Sequence, residues 1–153
     1  MRGDKVREIA GGLQRRAAVA TQGRARYSSS TVDARGELGR KGEAVAEQFL
    51  RDLRYRIVAR NFRCRAGEID LVALDGPVLV FVEVRSRRGE RAGTPLESVD
   101  ARKQQQVARV ARHFLSMRGL GEREARFDVV GVRFDQEPPV VEHVQSAFEV
   151  AGA

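Results

Sequence analysis

Two short apolar segments of this chain each carry an acidic residue where a buried strand would be expected to be hydrophobic. The first segment reads Gly67-Glu-Ile-Asp-Leu71, and the second reads Phe81-Val-Glu-Val-Arg85. An Asp, a Glu and a cation two residues beyond the Glu are close to the set of groups that metal-dependent phosphodiester hydrolysis uses. The cation is Arg85, at a position where that chemistry usually has lysine.

The turn between the two segments decides whether their acids meet. The segments are predicted to lie in two strands of one hairpin, Gly67–Leu74 and Val78–Val84, because Asp75-Gly76-Pro77 between them is a strong turn signal. A two-residue turn at 75–76 pairs residue i with residue 151 − i, whereas a four-residue loop over 75–78 pairs i with 153 − i and sets Asp70 opposite Glu83. Side chains alternate across a strand, so both even-length loops put Asp70, Glu83 and Arg85 on one face. A three-residue loop would separate them.

Two facing carboxylates repel each other, and neither is stable as a buried anion without a partner. A hard divalent cation relieves the repulsion, since Mg²⁺ binds oxygen from carboxylates, water and substrate phosphates. We therefore expect Mg²⁺ or Mn²⁺ to be held by Asp70, Glu83 and the main-chain carbonyl of Val84, with Arg85 either stabilising charge in the transition state or orienting the water. The competing interpretation is an ordinary cross-strand salt bridge of Glu68 or Glu83 with Arg85 or Arg63, although charges inside apolar runs are costly without a function.

Elements on either side of this hairpin are predicted from the spacing of apolar residues. Helical spacing predicts amphipathic helices over roughly 36–53 and 100–118, and strands are predicted at 55–62 and 126–134. Val140–Phe148 is a candidate short edge strand after Pro138-Pro139. The order α-β-β-β-α-β predicts an α/β fold in which a mixed sheet is flanked by helices.

Three polar side chains on the two predicted helices could reach the acids. At about 100° per residue, Glu43 lies beside the apolar stripe of the first helix. Lys103 and Gln104 project within about 60° of the stripe on the second helix. Either of them could complete the site, and Lys103 could supply an ammonium from a different element. The alternative is that both sit in a frayed first turn and reach solvent.

Composition limits the class of protein. The chain of 153 residues is long enough for one domain and carries a formal net charge of +7. Such a surplus favours an anionic partner, most simply nucleic acid, but it would also arise in an arginine-rich proteome. Cys64 is the only cysteine, no zinc-ligand spacing occurs, and no apolar run approaches the ~20 residues that span a bilayer. We expect a cytoplasmic protein that does not enter the membrane.

Residues 1–34 differ from the rest of the chain. They are rich in glycine, serine and cations and contain too few apolar residues to bury, so we expect a basic, disordered tail before a single domain at 35–150. The tail could attract phosphates without specificity. It could equally be an over-long start of translation without a role.

An ordered series of motifs over about residues 36–148 resembles the YraN family of uncharacterised bacterial proteins. That family is similar to archaeal Holliday-junction resolvases and to the PD-(D/E)XK nuclease superfamily. The motifs are Gly39-Arg-Lys-Gly42-Glu43, Asn61-Phe62-Arg63, Gly67-Glu-Ile-Asp-Leu71, Phe81-Val-Glu-Val-Arg85 with Arg87, and Arg126-Phe-Asp-Val129.

The resemblance implies a restriction endonuclease-like core, a metal-dependent nuclease activity on DNA and, as in resolvases, a homodimer. It implies acidic site residues at Asp70 and Glu83, a helix-borne acid at Glu43, and the motif lysine at Arg85. Arginine stays protonated and cannot act as a base, so the alternative is a nuclease-fold module that binds DNA without cleaving it. Gln104 is a further candidate catalytic residue. Contacts to backbone phosphates are expected from Arg63, Arg65, Arg87, Arg88 and Lys103.

Overall fold

A computed structural model describes the chain at residues 30–89 and 93–149, with side chains from residue 36. Most of the predicted tail, residues 1–29, lies outside these ranges. The elements are α1 (Ser30–Asp52), β1 (Arg56–Cys64), β2 (Gly67–Asp75), β3 (Val78–Arg87), a 3₁₀ turn (Leu96–Ser98), α2 (Ala101–Met117), β4 (Ala125–Arg133) and β5 (Val140–Phe148).

The five strands form one mixed sheet in the order β1-β2-β3-β4-β5. Strands β3 and β4 are parallel, and α2 makes the crossover between them; the other neighbouring pairs of this sheet are antiparallel. The predicted α/β class and element order are confirmed, with β5 as a nine-residue edge strand.

The two helices cover opposite faces of the sheet, because each presents one apolar stripe. Ala46 and Leu50 of α1 pack with Val80 and Val82 on one face. On the other face, α2 buries a stripe against alternate residues of the same strands: Val107, Val110, Ala111 and Phe114 against Val72, Leu79 and Phe81. The site residues on the odd-numbered positions of β3 therefore face α2.

A close contact fixes how α1 lies on β3. A Cβ built at Gly42 would be 1.7 Å from Oγ of Ser86, so only glycine allows the helix to approach this strand. Glu43 follows directly, and the contact therefore sets where its carboxylate can reach. At Gly39, one turn earlier, a Cβ would meet nothing within 4 Å.

Two predicted boundaries are wrong. Helix α1 begins at Ser30 and not near 36, because its first two turns carry no apolar stripe that a periodicity search could detect. Strand β3 continues to Arg87, beyond the predicted end at Val84, since Arg85 and Arg87 pair with Gly131 and Arg133 of β4. Among the described residues, no helix is long and apolar enough to cross a membrane.

Candidate active site

The hairpin of β2 and β3 adopts one of the two even registers. Asp75 pairs with Val78 and Leu71 pairs with Val82, which is the 153 − i alignment. The turn itself is only Gly76-Pro77, and Gly76 takes the left-handed φ of +55° that this tight turn requires. The prediction that Asp70, Glu83 and Arg85 share a face is confirmed by this register.

The pairing between the two strands ends at Leu71 and Val82. From there β2 continues along β1 as far as the Cys64–Gly67 pair, while β3 continues along β4. The Oδ2 atom of Asp70 accepts a hydrogen bond of 2.8 Å from the backbone N–H of Val84, which stands in for a ladder hydrogen bond. We call this opening the fork and define it by Asp70, Glu83 and Val84. The carbonyl of Val84 points to the same side as its N–H and so also faces the fork.

Glu83 is the most buried acid of the fork, with 4% of its surface exposed. Its Oε1 atom lies 3.3 Å from Nζ of Lys103 and 3.6 Å from Nη2 of Arg85. Its Oε2 atom is buried and has no hydrogen-bond partner. Burial, and next the negative charge of Asp70, raise the pKa of Glu83 to about 7 against the opposing effect of the two cations. The carboxylate therefore lacks the ligands that a stable anion would need.

Burial also raises the pKa of Asp70 above its ordinary value. The hydrogen bond from Val84 and the charge of Lys103 act in the opposite direction. Because Asp70 and Glu83 influence each other's ionisation, they titrate as a pair. An added positive charge between them would favour the doubly ionised state.

Glu43 belongs to the same electrostatic cluster, although it comes from the α1 side of the sheet. Asn61 lies opposite Asp70 in the β1–β2 register and has a left-handed φ of 49°, a conformation that asparagine tolerates. With its amide nitrogen facing the acids, Asn61 donates to Glu68 Oε1 at 2.9 Å and to Glu43 Oε2 at 3.2 Å. Burial first, and then the charge of Asp70, raise the pKa of Glu43. Acids from both faces thus interact at the fork.

The start of α2 determines which helical residue reaches Glu83. Asp100 caps the helix by accepting a 2.8 Å hydrogen bond from the N–H of Lys103. The first turn is thereby fixed with the ammonium of Lys103 against Glu83, where 28% of the side chain is exposed. The predicted alternative, Gln104, uses its amide nitrogen to donate to the carbonyl of Val99 at 3.0 Å. Its nitrogen thus holds the preceding loop.

The arginines expected to bind phosphate fall into two groups. Arg63 forms a cross-strand ion pair with Glu68 at 3.1 Å, which is the competing salt-bridge interpretation realised at this position. Arg87 donates to the carbonyl of Gly93 at 2.5 Å. Arg65 and Arg88 are exposed to solvent. The predicted phosphate contacts are therefore not equally available.

No group of three or more His, Cys, Asp and Glu side chains within residues 36–89 and 93–149 is arranged to hold a metal ion. A metal at the fork would consequently depend on two carboxylates, Asp70 and Glu83, supplemented by the Val84 carbonyl and by water or substrate oxygen. Mg²⁺ commonly accepts such incomplete protein coordination. The unbonded Oε2 atom of Glu83 fits this donor set.

Sequence reasoning did not identify Asn61 and Glu68 as part of the cluster. An asparagine within a strand is unusual, and this was the signal that could have identified Asn61.

A second polar network that sequence reasoning did not identify lies on the α1 face around Asp128, which is 1% exposed. Asp128 accepts from Arg126 Nε at 3.0 Å, from Ser146 N at 3.0 Å and from His143 Nε2 at 2.8 Å. Burial opposes ionisation of Asp128, but the hydrogen bonds from His143 and Arg126 hold its pKa below the ordinary value. Both carboxylate oxygens of Asp128 accept hydrogen bonds, and those from His143 and Ser146 join β4 to β5, so the network has a structural role.

Comparison with known proteins gives a consistent family. The model of the uncharacterised protein family UPF0102 matches residues 42–132. A UPF0102 protein of Geotalea uraniireducens (strain Rf4) is 46% identical over 115 residues, which are 74% of this chain and 91% of the relative. One from Moorella thermoacetica is 49% identical over 112 residues, 72% of this chain and 93% of the relative. One from Pelotomaculum thermopropionicum is 47% identical over 119 residues, 76% of this chain and 99% of the relative. This chain therefore belongs to the uncharacterised protein family UPF0102, the YraN family that its motifs resemble.

Proposed function

We propose that this protein is a divalent-metal-dependent nuclease that acts on DNA, with the fork as its catalytic centre. The observation that carries the proposal is the pair Asp70 and Glu83, held together at the opening of the sheet with one Glu83 oxygen buried and unbonded. A fold that keeps such a pair without hydrogen bonds for all its oxygens bears a cost in stability. Function at this position explains why the cost is tolerated.

The residues present suit Mg²⁺ or Mn²⁺. Asp70, Glu83 and the carbonyl of Val84 would hold the ion, and when bound it would polarise a phosphoryl oxygen and lower the pKa of a coordinated water. Oxygen donors alone, with no sulfur or imidazole among them, favour these hard cations over zinc.

Lys103 and Arg85 supply positive charge beside the acids. The ammonium of Lys103 comes from α2 and approaches Glu83 more closely than the guanidinium of Arg85 does, at 3.3 Å against 3.6 Å. It would stabilise negative charge on a phosphate at the fork, in the role that the nuclease motif gives to lysine. Arg85 would bind a phosphate oxygen through the parallel N–H donors of its planar guanidinium. Glu43, through Asn61 and Glu68, would tune the charge of Asp70.

One observation favours a second candidate, a DNA-binding module that does not cleave. Lys103 and Arg85 already place two positive charges beside Asp70 and Glu83. These two cations would balance the charges of Asp70 and Glu83 when both acids are ionised, and they would compete with a metal for Glu83. Arg85 also cannot act as a base.

A cleavage assay tests the first proposal. The purified chain would be incubated with four-way junctions, flaps, nicked duplexes and linear duplexes in Mg²⁺ and in Mn²⁺. The isosteric double variant Asp70→Asn/Glu83→Gln should lose activity, whereas Glu122→Gln/Glu124→Gln, two exposed acids with the same change of charge, should retain it. Equal cleavage by all three proteins would identify a contaminant, and no cleavage of any structure by the wild type would contradict the nuclease proposal.

The variant Arg85→Lys separates the two candidates. In a nuclease, a compact ammonium at the motif position should preserve or raise the rate of cleavage. In a binding module, Arg85→Lys should stay inert while the protein continues to bind DNA.

A further inference from the structure

The outer face of α2 carries positive charge. Three arginines of this face, Arg102, Arg109 and Arg112, are exposed, and Ala101–Met117 contains no acidic residue. Exposed helix faces commonly pair opposite charges four residues apart, and α2 itself contains no acid with which such a pair could form. We call these three arginines the α2 stripe.

The arginines of the α2 stripe lie on one side of the helix and extend along its axis. At 100° per residue the three arginines fall within about 80° of one another, on the side of the helix opposite Val107 and Phe114. They extend along about 15 Å of the helix axis, from the end that carries Lys103 to the last turns. The same helix thus presents one cation to the fork and three to solvent.

The β1–β2 turn adds to this surface from the side. A Cβ at Gly67 would lie 2.6 Å from Nε2 of Gln106, and the rings of Phe62 and His113 are 6.3 Å apart, so this end of the hairpin lies against α2. Arg65 sits in that turn and is exposed. Arg63, two residues earlier, forms an ion pair with Glu68.

We propose that the α2 stripe, with Arg65 beside it, is the surface that binds the phosphate backbone of a nucleic-acid duplex and leads it to the fork. This proposal rests on the proposed function, because it names the track along which the substrate would lie. Duplex DNA carries one negative charge per ≈1.7 Å of its axis, so about 15 Å offers roughly nine charges to the three arginines. The contacts would be to phosphates and would carry no sequence information.

The side chains that lie between the arginines favour a duplex over a membrane surface. A helix that binds in a lipid interface needs bulky apolar side chains beside its cations. Between the arginines of the stripe lie Gln105 and, at the far end, Ser116, both exposed and polar. Backbone phosphates require only the cations.

The test measures binding without catalysis. A 20-bp fluorescent DNA duplex, and an RNA duplex of the same sequence, would be titrated by anisotropy in EDTA from 50 to 300 mM salt with the full chain. The test variant is Arg102→Gln/Arg109→Gln/Arg112→Gln, which keeps helix propensity. The control is Lys41→Gln/Arg54→Gln/Arg56→Gln, which removes the same charge from α1, from the turn that follows it and from the start of β1. Circular dichroism would check that both remain folded.

We expect the stripe variant to lower the slope of log K against log[salt] by about 2 to 3 and to weaken binding about 100- to 500-fold at 0.1 M salt. The control should change the slope by less than about 1. Equal slopes for the two variants would overturn the stripe while leaving the nuclease proposal standing. Failure of the wild type to bind either duplex at 50 mM salt would overturn both. Binding of RNA but not DNA would keep the stripe and contradict the DNA substrate. Anionic vesicles, added as competitor, should not displace the duplex from the wild type. If they displace it from the wild type but not from the stripe variant, the surface binds lipid and the proposal is overturned.

Discussion

Replacing Glu83 with glutamine should make the protein more stable at neutral and alkaline pH. The pKa of Glu83 is raised from an ordinary 4.5 to about 7. Between these values the unfolded chain has released the proton while the folded chain still holds it, so stability falls as pH rises from about 4.5 to 7 and changes little above. A shift of this size corresponds to about 3 kcal/mol, at 1.36 kcal/mol per unit. Glutamine has the same shape and does not ionise, so it removes this dependence.

The expected gain for Glu83→Gln is therefore up to about 3 kcal/mol at pH 8 and near zero at pH 4. The loss of ion pairs subtracts little, because the side chains of Lys103 and Arg85 are 28% and 32% exposed and can reach water. Urea unfolding followed by far-ultraviolet circular dichroism at pH 4, 6 and 8 measures the difference. The exposed control Glu122→Gln should change stability by less than about 0.5 kcal/mol at each pH. A Glu83→Gln protein less stable than the wild type at pH 8, or a wild type that gains stability between pH 5 and 7, would refute a strained carboxylate at the fork.

Two further changes test the framework of the site. Gly42→Ala should destabilise the protein by about 1–3 kcal/mol in urea unfolding, because the added Cβ would overlap Ser86. The control Gly39→Ala should be neutral or stabilising, since a Cβ there meets nothing. Similar effects of the two changes would show that the position of α1 does not depend on the contact between Gly42 and Ser86. Asp128→Asn should cost about 2–3 kcal/mol at pH 7, since it removes a charged acceptor from Arg126, which keeps Asp75 at 2.8 Å as its other countercharge. The pKa of Asp128 is lowered, so its contribution is present above the ordinary value of 3.8 and is lost as pH falls; the Asn variant should therefore lose less stability than the wild type in acid, and an identical acid profile would contradict this assignment.

The core of the fold could be predicted because its signals are local. Alternation along β2 and β3 and the Asp-Gly-Pro turn were enough to place Asp70, Glu83 and Arg85 on one face. The register itself could not be chosen, since both even-length loops satisfy the alternation and only packing of the two strands decides between them. The observed pairing of Asp75 with Val78 selects one.

The remaining parts of the site depend on contacts that a periodic pattern cannot show. The left-handed Asn61 joins Glu43 to Glu68 across the opening of the sheet, and regular strand geometry gives no hint of that bend. Lys103 and Gln104 lie on either side of the apolar stripe on a helical wheel, so the wheel could not decide which side faces Glu83. Lys103 reaches Glu83, and the amide nitrogen of Gln104 binds the Val99 carbonyl.

The polar network around Asp128 was beyond sequence reasoning for a different reason. Two of its partners, His143 and Ser146, come from β5, whose pairing with β4 shifts register between Phe127 and Val129, and Ser146 adopts a positive φ of 48° to reach the carboxylate. Such a bulge leaves no periodic trace in the sequence. A buried acid inside a strand indicated only that a partner must exist.

Calorimetric titration of Mg²⁺ and Mn²⁺ into the chain tests the central claim most directly, because it asks whether the fork holds a divalent ion before any substrate is chosen. At pH 7.5 the wild type should bind one ion, with release of protons from the Asp70–Glu83 pair that appears as a dependence of the heat on the ionisation enthalpy of the buffer. The Asp70→Asn/Glu83→Gln variant should give no binding heat, and Glu122→Gln/Glu124→Gln should behave as the wild type does. Equal binding by all three proteins, or no binding to the wild type at millimolar metal, would contradict the proposal that these two acids form a metal site.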